Sequence, residues 1–286
     1  MGELVVIVCT FNYRLWKETL PQLPTMSALK VVEIPTYASS TWTVPGTIAV
    51  LTGKQEWEKP TKPELSWTNF PEDWWENPWD FLWPDFGRGA AYRLVEGWDR
   101  KGTAFLFYRL PHFPYGIGDP VALQHLANHE SEPLEWAYKK RLKYLDKEMS
   151  ELLELDCPIL VTGDHGEDFG EWELMHMHHN NHSDEVIRVP MFGRGFRYDY
   201  PTVRHVCNKH ALAILREEPL SQSDTIRIWS EGPFEGEWKY IIVDWSGKTV
   251  VSKDGMFFEP RDNPNVFESM SDHSKLNARL RALGYL

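Results

Sequence analysis

Cysteine is scarce in this chain, with three residues at 9, 157 and 207. An odd and small number cannot build a disulfide scaffold, and it fits a reducing compartment best. Long apolar runs are missing too, so no segment approaches the length of a membrane span. The N-terminus passes from Gly2-Glu3 straight into Leu4 to Cys9, without a basic region or a small-residue cleavage site. A cytoplasmic location is therefore expected. Basic blocks are the third deficit: 30 Lys and Arg stand against 42 Asp and Glu, a formal charge of -12. Such a surface repels nucleic-acid phosphates, which disfavours a nucleic-acid binder. A small anionic substrate stays open, because a bound cation reverses the potential inside one cleft.

What is present is ordinary for a folded globular chain: 286 residues, 42% hydrophobic and 25% charged, with no repeat. That length favours one large α/β domain. Leu4-Val5-Val6-Ile7-Val8-Cys9 is apolar on both faces and too short for a helix, as a central parallel strand is. Leu29 to Ile34 reads as a second extended segment. Ser39 to Gly46 reads as a loop feeding a short helix that Gly53 ends. Thr103 to Tyr108 returns to strand character and leads into Pro111-His112-Phe113-Pro114-Tyr115. Tyr138, Leu142, Leu145, Met149 and Leu152 alternate four and three apart, marking the clearest amphipathic helix, from Leu134 to Leu155. Cys157 to Thr162 follows as a strand, so the βαβ alternation recurs, and ligand sites in such folds lie beyond the C-terminal strand ends. A helix is expected at Val206 to Arg216, an antiparallel hairpin at Trp238 to Val243, and a short helix through Leu276 to Leu283.

The chemistry concentrates at Thr162-Gly163-Asp164-His165-Gly166-Glu167. Asp164 and His165 follow a strand directly, and the flanking glycines are expected to let the backbone turn sharply enough for both side chains to reach one point. A carboxylate oxygen with an imidazole nitrogen suits zinc or manganese better than calcium or magnesium. Met175 to His182 then supplies four histidines in eight residues, either a source of further ligands or a surface loop. Residues 54 to 98 stand apart, with six tryptophans between Trp67 and Trp98. Three readings stand for them: a lid over the substrate, a surface for a protein partner, or an irregular segment anchored by its rings.

The strand, the Thr-Gly-Asp-His-Gly-Glu turn, Asp168-Phe169-Gly170-Glu171, the His-containing loop and Glu185-Val186-Ile187-Arg188-Val189-Pro190 together resemble the alkaline phosphatase and sulfatase superfamily, most of all its sulfatase-like branch. Other segments match in the same order. Thr43-Val44-Pro45-Gly46-Thr47 through Leu51-Thr52-Gly53 resembles the nucleophile segment, in which Cys or Ser, any residue, Pro, Ser and Arg precede a Leu-Thr-Gly ending. His112-Phe113-Pro114-Tyr115 resembles the family's His-x-Pro-Tyr, and Leu280 to Tyr285 its closing helix. The resemblance implies a mostly parallel central sheet with helices on both faces and a small C-terminal hairpin plus helix. It also implies a single domain over 1–286, with a Trp-rich insertion at about 54–98 and a C-terminal subdomain at about 225–286.

By the same resemblance Thr43 is the nucleophile at a helix N-terminus, the alternative being a Thr that only caps the helix. His178 and His112 would stabilise the transferred group or assist its departure, although His112 between prolines also suits a rigid loop. Cys9 stands where the family carries a metal-binding Asp, as a thiolate ligand or as a buried apolar residue, with Asn12 nearby as a neutral oxygen donor. Ser and Arg of the pattern are replaced by Gly46 and Thr47, and threonine lacks the aldehyde maturation of sulfatases. The implied function is a metal-dependent phosphoester hydrolase or phosphotransferase, phosphodiesters foremost, acting on a small anionic ester. A binding module that has lost turnover is the second reading, and a sulfatase the third.

Overall fold

The computed structural model describes residues 2–55, 67–68, 98–112, 115–117, 121, 124–125, 128, 130–169, 182–198, 206–220, 225–229, 239–244, 247–252 and 255–260. The initial apolar run forms β1 (Glu3–Val8). The chain continues through α1 (Tyr13–Thr19), α2 (Pro24–Leu29), β2 (Val32–Glu33), β3 (Thr36–Tyr37), α3 (Thr43–Thr52), β4 (Trp67–Thr68) and β5 (Thr103–Tyr108). Then come α4 (Ser131–Glu148), β6 (Ile159–Gly163), α5 (Asp184–Ile187), β7 (Arg188–Val189), β8 (Met191–Arg194), β9 (Val206–Cys207) and α6 (Ala211–Leu215). Strands β10 (Ile226–Trp229), β11 (Lys239–Asp244), β12 (Gly247–Ser252) and β13 (Gly255–Pro260) follow.

The main sheet has six strands in the order β2-β8-β6-β1-β5-β4. β4, β5, β1 and β6 are mutually parallel, and β8 runs against both of its neighbours. β1 lies in the middle, which is why its sequence is apolar on both faces. Leu4, Val6 and Val8 enter a layer with Leu15 and Trp16 of α1, Met26 of α2, and Tyr138 and Leu142 of α4. Val5 and Ile7 enter the opposite layer with Val50 and Leu51 of α3 and Ile214 of α6. Each such side chain stabilises the fold by roughly 1.5–3 kcal/mol on burial. The mostly parallel sheet with helices on both faces is thus as expected, as is an antiparallel sheet near the C-terminus, here β10-β11-β12-β13.

Two expectations are corrected. Leu29 to Ile34 is not one extended segment: Leu29 ends α2, a helix opened by Pro24, and the extended part begins after it, with Val32–Glu33 paired to β8 and the Val31 and Ile34 amides donating to the Gly193 and Met191 carbonyls of that strand. Val206 to Arg216 is not one helix, because Val206–Cys207 pairs in parallel with β3 and Asn208–His210 makes a 3-10 turn before α6. The predicted helix at Leu134 to Leu155 divides into α4 and a 3-10 turn at Met149–Glu154, and its five marker residues are all buried. Most of the Trp-rich segment and the predicted helix at Leu276 to Leu283 lie outside the described residues. Among the described residues no helix is long and apolar enough to cross a membrane.

Candidate active site

β1 and β6 are parallel neighbours with Val8 opposite Gly163, so the next residues of each, Cys9 and Asp164, emerge side by side at the C-terminal edge of the sheet. The Asp164 amide donates to the Val8 carbonyl at 3.3 Å, extending the ladder one step into the loop. The helix α3 closes the site from one side. Its N-cap is Trp42 in an extended conformation, and Thr43 is the first helical residue. Thr43 therefore does not cap the helix. Its Oγ1 lies 3.2 Å from His165 Nε2 and 3.4 Å from Cys9 Sγ. Pro45 falls in the first turn, where its missing N–H has no helical partner to lose.

α3 can approach this closely only because position 46 has no side chain. A Cβ there would stand 2.6 Å from the Asp164 carbonyl oxygen. The flanking glycines of the turn work in the same way. Neither Gly163 nor Gly166 has a positive φ, contrary to the expectation of a special backbone turn. Each is a point of close approach instead: a Cβ on Gly163 would meet Phe11 and Val189, and one on Gly166 would meet the Glu185 carbonyl.

His165 is oriented from behind. Its Nδ1 lies 2.7 Å from the Gly166 carbonyl oxygen, which can only accept, so Nδ1 carries the proton and Nε2 presents its lone pair towards Thr43. Asp164 Oδ1 accepts from the amides of Thr10 at 3.0 Å and His165 at 2.7 Å. Asp164 Oδ2 is buried and, among the described residues, has no hydrogen bond of normal geometry, although the Cys9 thiol lies close enough to interact. Burial pushes the Asp164 carboxyl up to about 8, against the pull of those two amides. Burial, with the Asp164 charge adding to it, likewise raises the Cys9 thiol.

The donor set fits a cation. One ligand atom each from Cys9, Asp164 and His165 lies within 4.8 Å of the others, and all three residues are buried. Asp164 Oδ2 and His165 Nε2 are 3.7 Å apart. Two ligands about 2 Å from one tetrahedral ion sit roughly 3.3–3.7 Å apart. A carboxylate oxygen buried without a full set of partners costs on the order of 1–3 kcal/mol, a cost that a bound cation removes.

The structure thus brings Thr43, Cys9, Asp164 and His165 together. His112 lies on the loop after β5, at the same edge, near enough to Glu167 that its charge lowers that carboxyl's pKa. His178 falls outside the described residues. The Asn12 side chain is engaged away from that cluster: its Oδ1 accepts from the Leu15 amide at 2.8 Å, capping α1, while Nδ2 donates to the Glu167 carbonyl and to Glu185 Oε2.

Three supporting residues had no assigned role in the sequence reading. Tyr138, from α4, accepts from the Asn12 amide at 2.8 Å and donates to the Thr10 carbonyl at 2.7 Å. Its signal was a hydroxyl at a core position of an amphipathic helix, which needs a partner. Asn208 accepts from the Ser39 amide and donates to the Gly163 and Asp164 carbonyls, tying the loop before α3 to the turn. A lone amide after the apolar pair Val206-Cys207 was its signal. Glu167 is fully buried, raised to about 8 by desolvation against the opposing effects of His112 and the Tyr115 hydroxyl.

No family model and no curated protein matches this sequence. Solved structures do. A 2-O GAG sulfatase is 11% identical, with a TM-score of 0.67 over 99% of this chain and 90% of that one. A phosphonate monoester hydrolase from Silicibacter pomeroyi is 12% identical, with a TM-score of 0.65 over 99% and 93%. The C-terminal periplasmic domain of a phosphoethanolamine transferase from Campylobacter jejuni is 14% identical, with a TM-score of 0.52 over 76% and 89%. With the parallel sheet, the Asp164-His165 turn and the helix that begins at Thr43, these likenesses identify the fold of the chain as that of the alkaline phosphatase and sulfatase superfamily.

Proposed function

We propose that this chain is a metal-dependent hydrolase or transferase of small anionic esters, phosphodiesters foremost, with Thr43 as its nucleophile. The observation that carries the reading is Thr43 Oγ1, which stands at the N-terminus of α3 within 3.2 Å of His165 Nε2 and 3.4 Å of Cys9 Sγ. A hydroxyl there meets the positive end of the helix dipole and the edge of a cation site together. The names of the similar structures, a sulfatase, a phosphonate monoester hydrolase and a phosphoethanolamine transferase, support ester chemistry of this kind. Phosphorus is favoured over sulfur because threonine serves directly as a nucleophile and cannot become an aldehyde.

Asp164, His165 and Cys9 would hold a divalent cation, zinc or manganese rather than calcium or magnesium. When bound, the cation neutralises charge on the transferred group and lowers the pKa of the hydroxyl beside it. Thr43 Oγ1 attacks phosphorus in line and loses its proton, and the bond to the leaving oxygen breaks as that oxygen is protonated. Water or an acceptor hydroxyl then attacks the phospho-threonine and restores Thr43. His112 and His178 serve departure or hold the non-bridging oxygens. The three free thiols support a reducing compartment.

The test pairs metal analysis of the purified chain with turnover of bis-nitrophenyl phosphate and a nitrophenyl sulfate. Wild type is expected to hold metal and prefer the phosphodiester, Thr43→Ser to retain turnover, and Thr43→Ala to fall to background. A metal-free wild type whose turnover is unchanged by Thr43→Ala would sink the enzyme reading. It would leave the second one, a binding module, which Cys9 in place of a carboxylate favours. A sulfate ester turned over faster than the phosphodiester would reverse the substrate preference.

A further inference from the structure

We infer that Cys9 makes this centre thiophilic: it selects zinc, cobalt(II) or cadmium through a thiolate bond and discriminates against manganese, magnesium and calcium. The inference rests on the cation centre proposed above, and it narrows that centre's metal to one chemical class.

Two observations converge on one point. Cys9 belongs to the apolar layer beneath α3, yet its sulfur reaches Thr43 Oγ1 at 3.4 Å and lies within the cluster shared by Asp164 and His165. Separately, Asp164 Oδ2 is aimed into the same cluster, buried and, among the described residues, without a hydrogen bond of normal geometry, the Cys9 thiol facing it. A buried cysteine with a purely packing role requires neither feature.

Ligand count then decides between metals. Among the described residues, sulfur, oxygen and nitrogen from three side chains, with Thr43 Oγ1 beside two of them, make a four-cornered site. Three protein ligands and one further position are the set of a catalytic zinc centre. Calcium takes 6–8 oxygen ligands and magnesium a near-ideal octahedron, as does manganese in oxygen-rich sites. Softness acts in the same direction, because thiolate is a poor ligand for the hard cations. Charge agrees as well: one thiolate and one carboxylate cancel a divalent ion, so the filled centre is neutral inside a dry site. The bond formed is sulfur to metal, and the thiol proton leaves to solvent.

The experiment uses the full chain, stripped with a chelator and titrated with cobalt(II) while the ultraviolet and visible spectrum is recorded. Wild type is expected to bind one equivalent, with a near-ultraviolet sulfur-to-cobalt charge-transfer band and the intense visible absorption of a tetrahedral ion. Zinc is expected to bleach both bands, whereas an excess of manganese or calcium leaves them. Cys157→Ser should behave as wild type. Cys9→Ser should lose the charge-transfer band and bind zinc more weakly, by more than the roughly 10–100-fold that even an outer-shell change costs. Cys9→Asp should bind manganese without that band. Cobalt binding to wild type with no charge-transfer band overturns the inference and leaves the cation centre standing. No binding of any metal overturns both. Should the Cys9 variants fail to fold, the wild-type spectrum and the zinc and manganese competition decide alone.

Discussion

Gly46→Ala separates two opposed forces on one residue. Position 46 is in the first turn of α3, and in a helix alanine is favoured over glycine by about 0.8–1 kcal/mol. Propensity alone therefore predicts a more stable protein. The contact geometry predicts the reverse. The new Cβ would stand 2.6 Å from the Asp164 carbonyl oxygen, 3.1 Å from its carbonyl carbon and 3.4 Å from its Cβ. Ordinary contact begins at 3.4 Å, so α3 and the turn must part by about 0.8 Å. The obstacle is main chain, and it is held by Asn208 Nδ2 at 3.0 Å, so it cannot swing aside as a side-chain tip would. Overpacking of this kind costs about 1–3 kcal/mol, which outweighs the propensity gain. The net expectation is a loss of up to about 2 kcal/mol in urea unfolding. Because α3 also carries Thr43, a shift approaching 1 Å should lower turnover by about 100-fold. A Gly46→Ala protein more stable than wild type, with turnover intact, would refute the close packing of helix on turn.

Three further outcomes follow from neighbouring contacts. Asn12→Asp places a carboxylate where an amide now donates to Glu185 Oε2 at 2.6 Å and to the Glu167 carbonyl at 2.8 Å. It should cost about 2–3 kcal/mol without tightening metal binding, since the position caps α1, and a tighter complex by calorimetry would restore Asn12 to the ligand set. Thr10 is β-branched at φ 54, with a buried hydroxyl that has no partner among the described residues. Releasing about 1–2 kcal/mol of left-handed strain against glycine's entropic cost of about 0.5–1, Thr10→Gly should gain about 0.5–1 kcal/mol, and a less stable variant would give the hydroxyl a task. Burial pushes the Glu33 carboxyl up, but hydrogen bonds from Lys17 and Lys30 outweigh it and hold it below the usual range. Its contribution is present above the unfolded pKa and lost as the pH falls through the folded one. Glu33→Gln should thus be weaker than wild type by less than about 1 kcal/mol at neutral pH, with the gap closing under acid; a gap that widens there would contradict the sign.

The strands and the long helix were legible because their burial is periodic within their own segments. β1 is apolar at successive positions since it is covered on both faces, and α4 repeats at four and three because only one of its faces meets the sheet. The misread segments depended on distant partners. Val206-Cys207 runs straight into the helical segment after it, yet it extends because β3, some 170 residues earlier, offers an edge to pair with. Leu29 looked extended among Val31 and Val32, but its side chain belongs to a helix already opened by Pro24. No local pattern carries either fact.

The candidate site was half legible for the same reason. Asp164 and His165 could be read as a turn at a strand end, and Thr43 and Cys9 could be placed beside them only by the order of motifs, because Thr43 meets His165 across 122 residues. Asn12 was misjudged although its own signal was local: an Asn three residues before the amide it accepts from is the pattern of a helix cap. That correction changes the chemistry of the site. With the Asn12 oxygen committed to Leu15, and Thr10 contributing its main-chain N–H to Asp164, the end of β1 presents one side chain to the centre, Cys9. The strand therefore delivers a single sulfur, and the proposal of a thiophilic centre turns on that one residue.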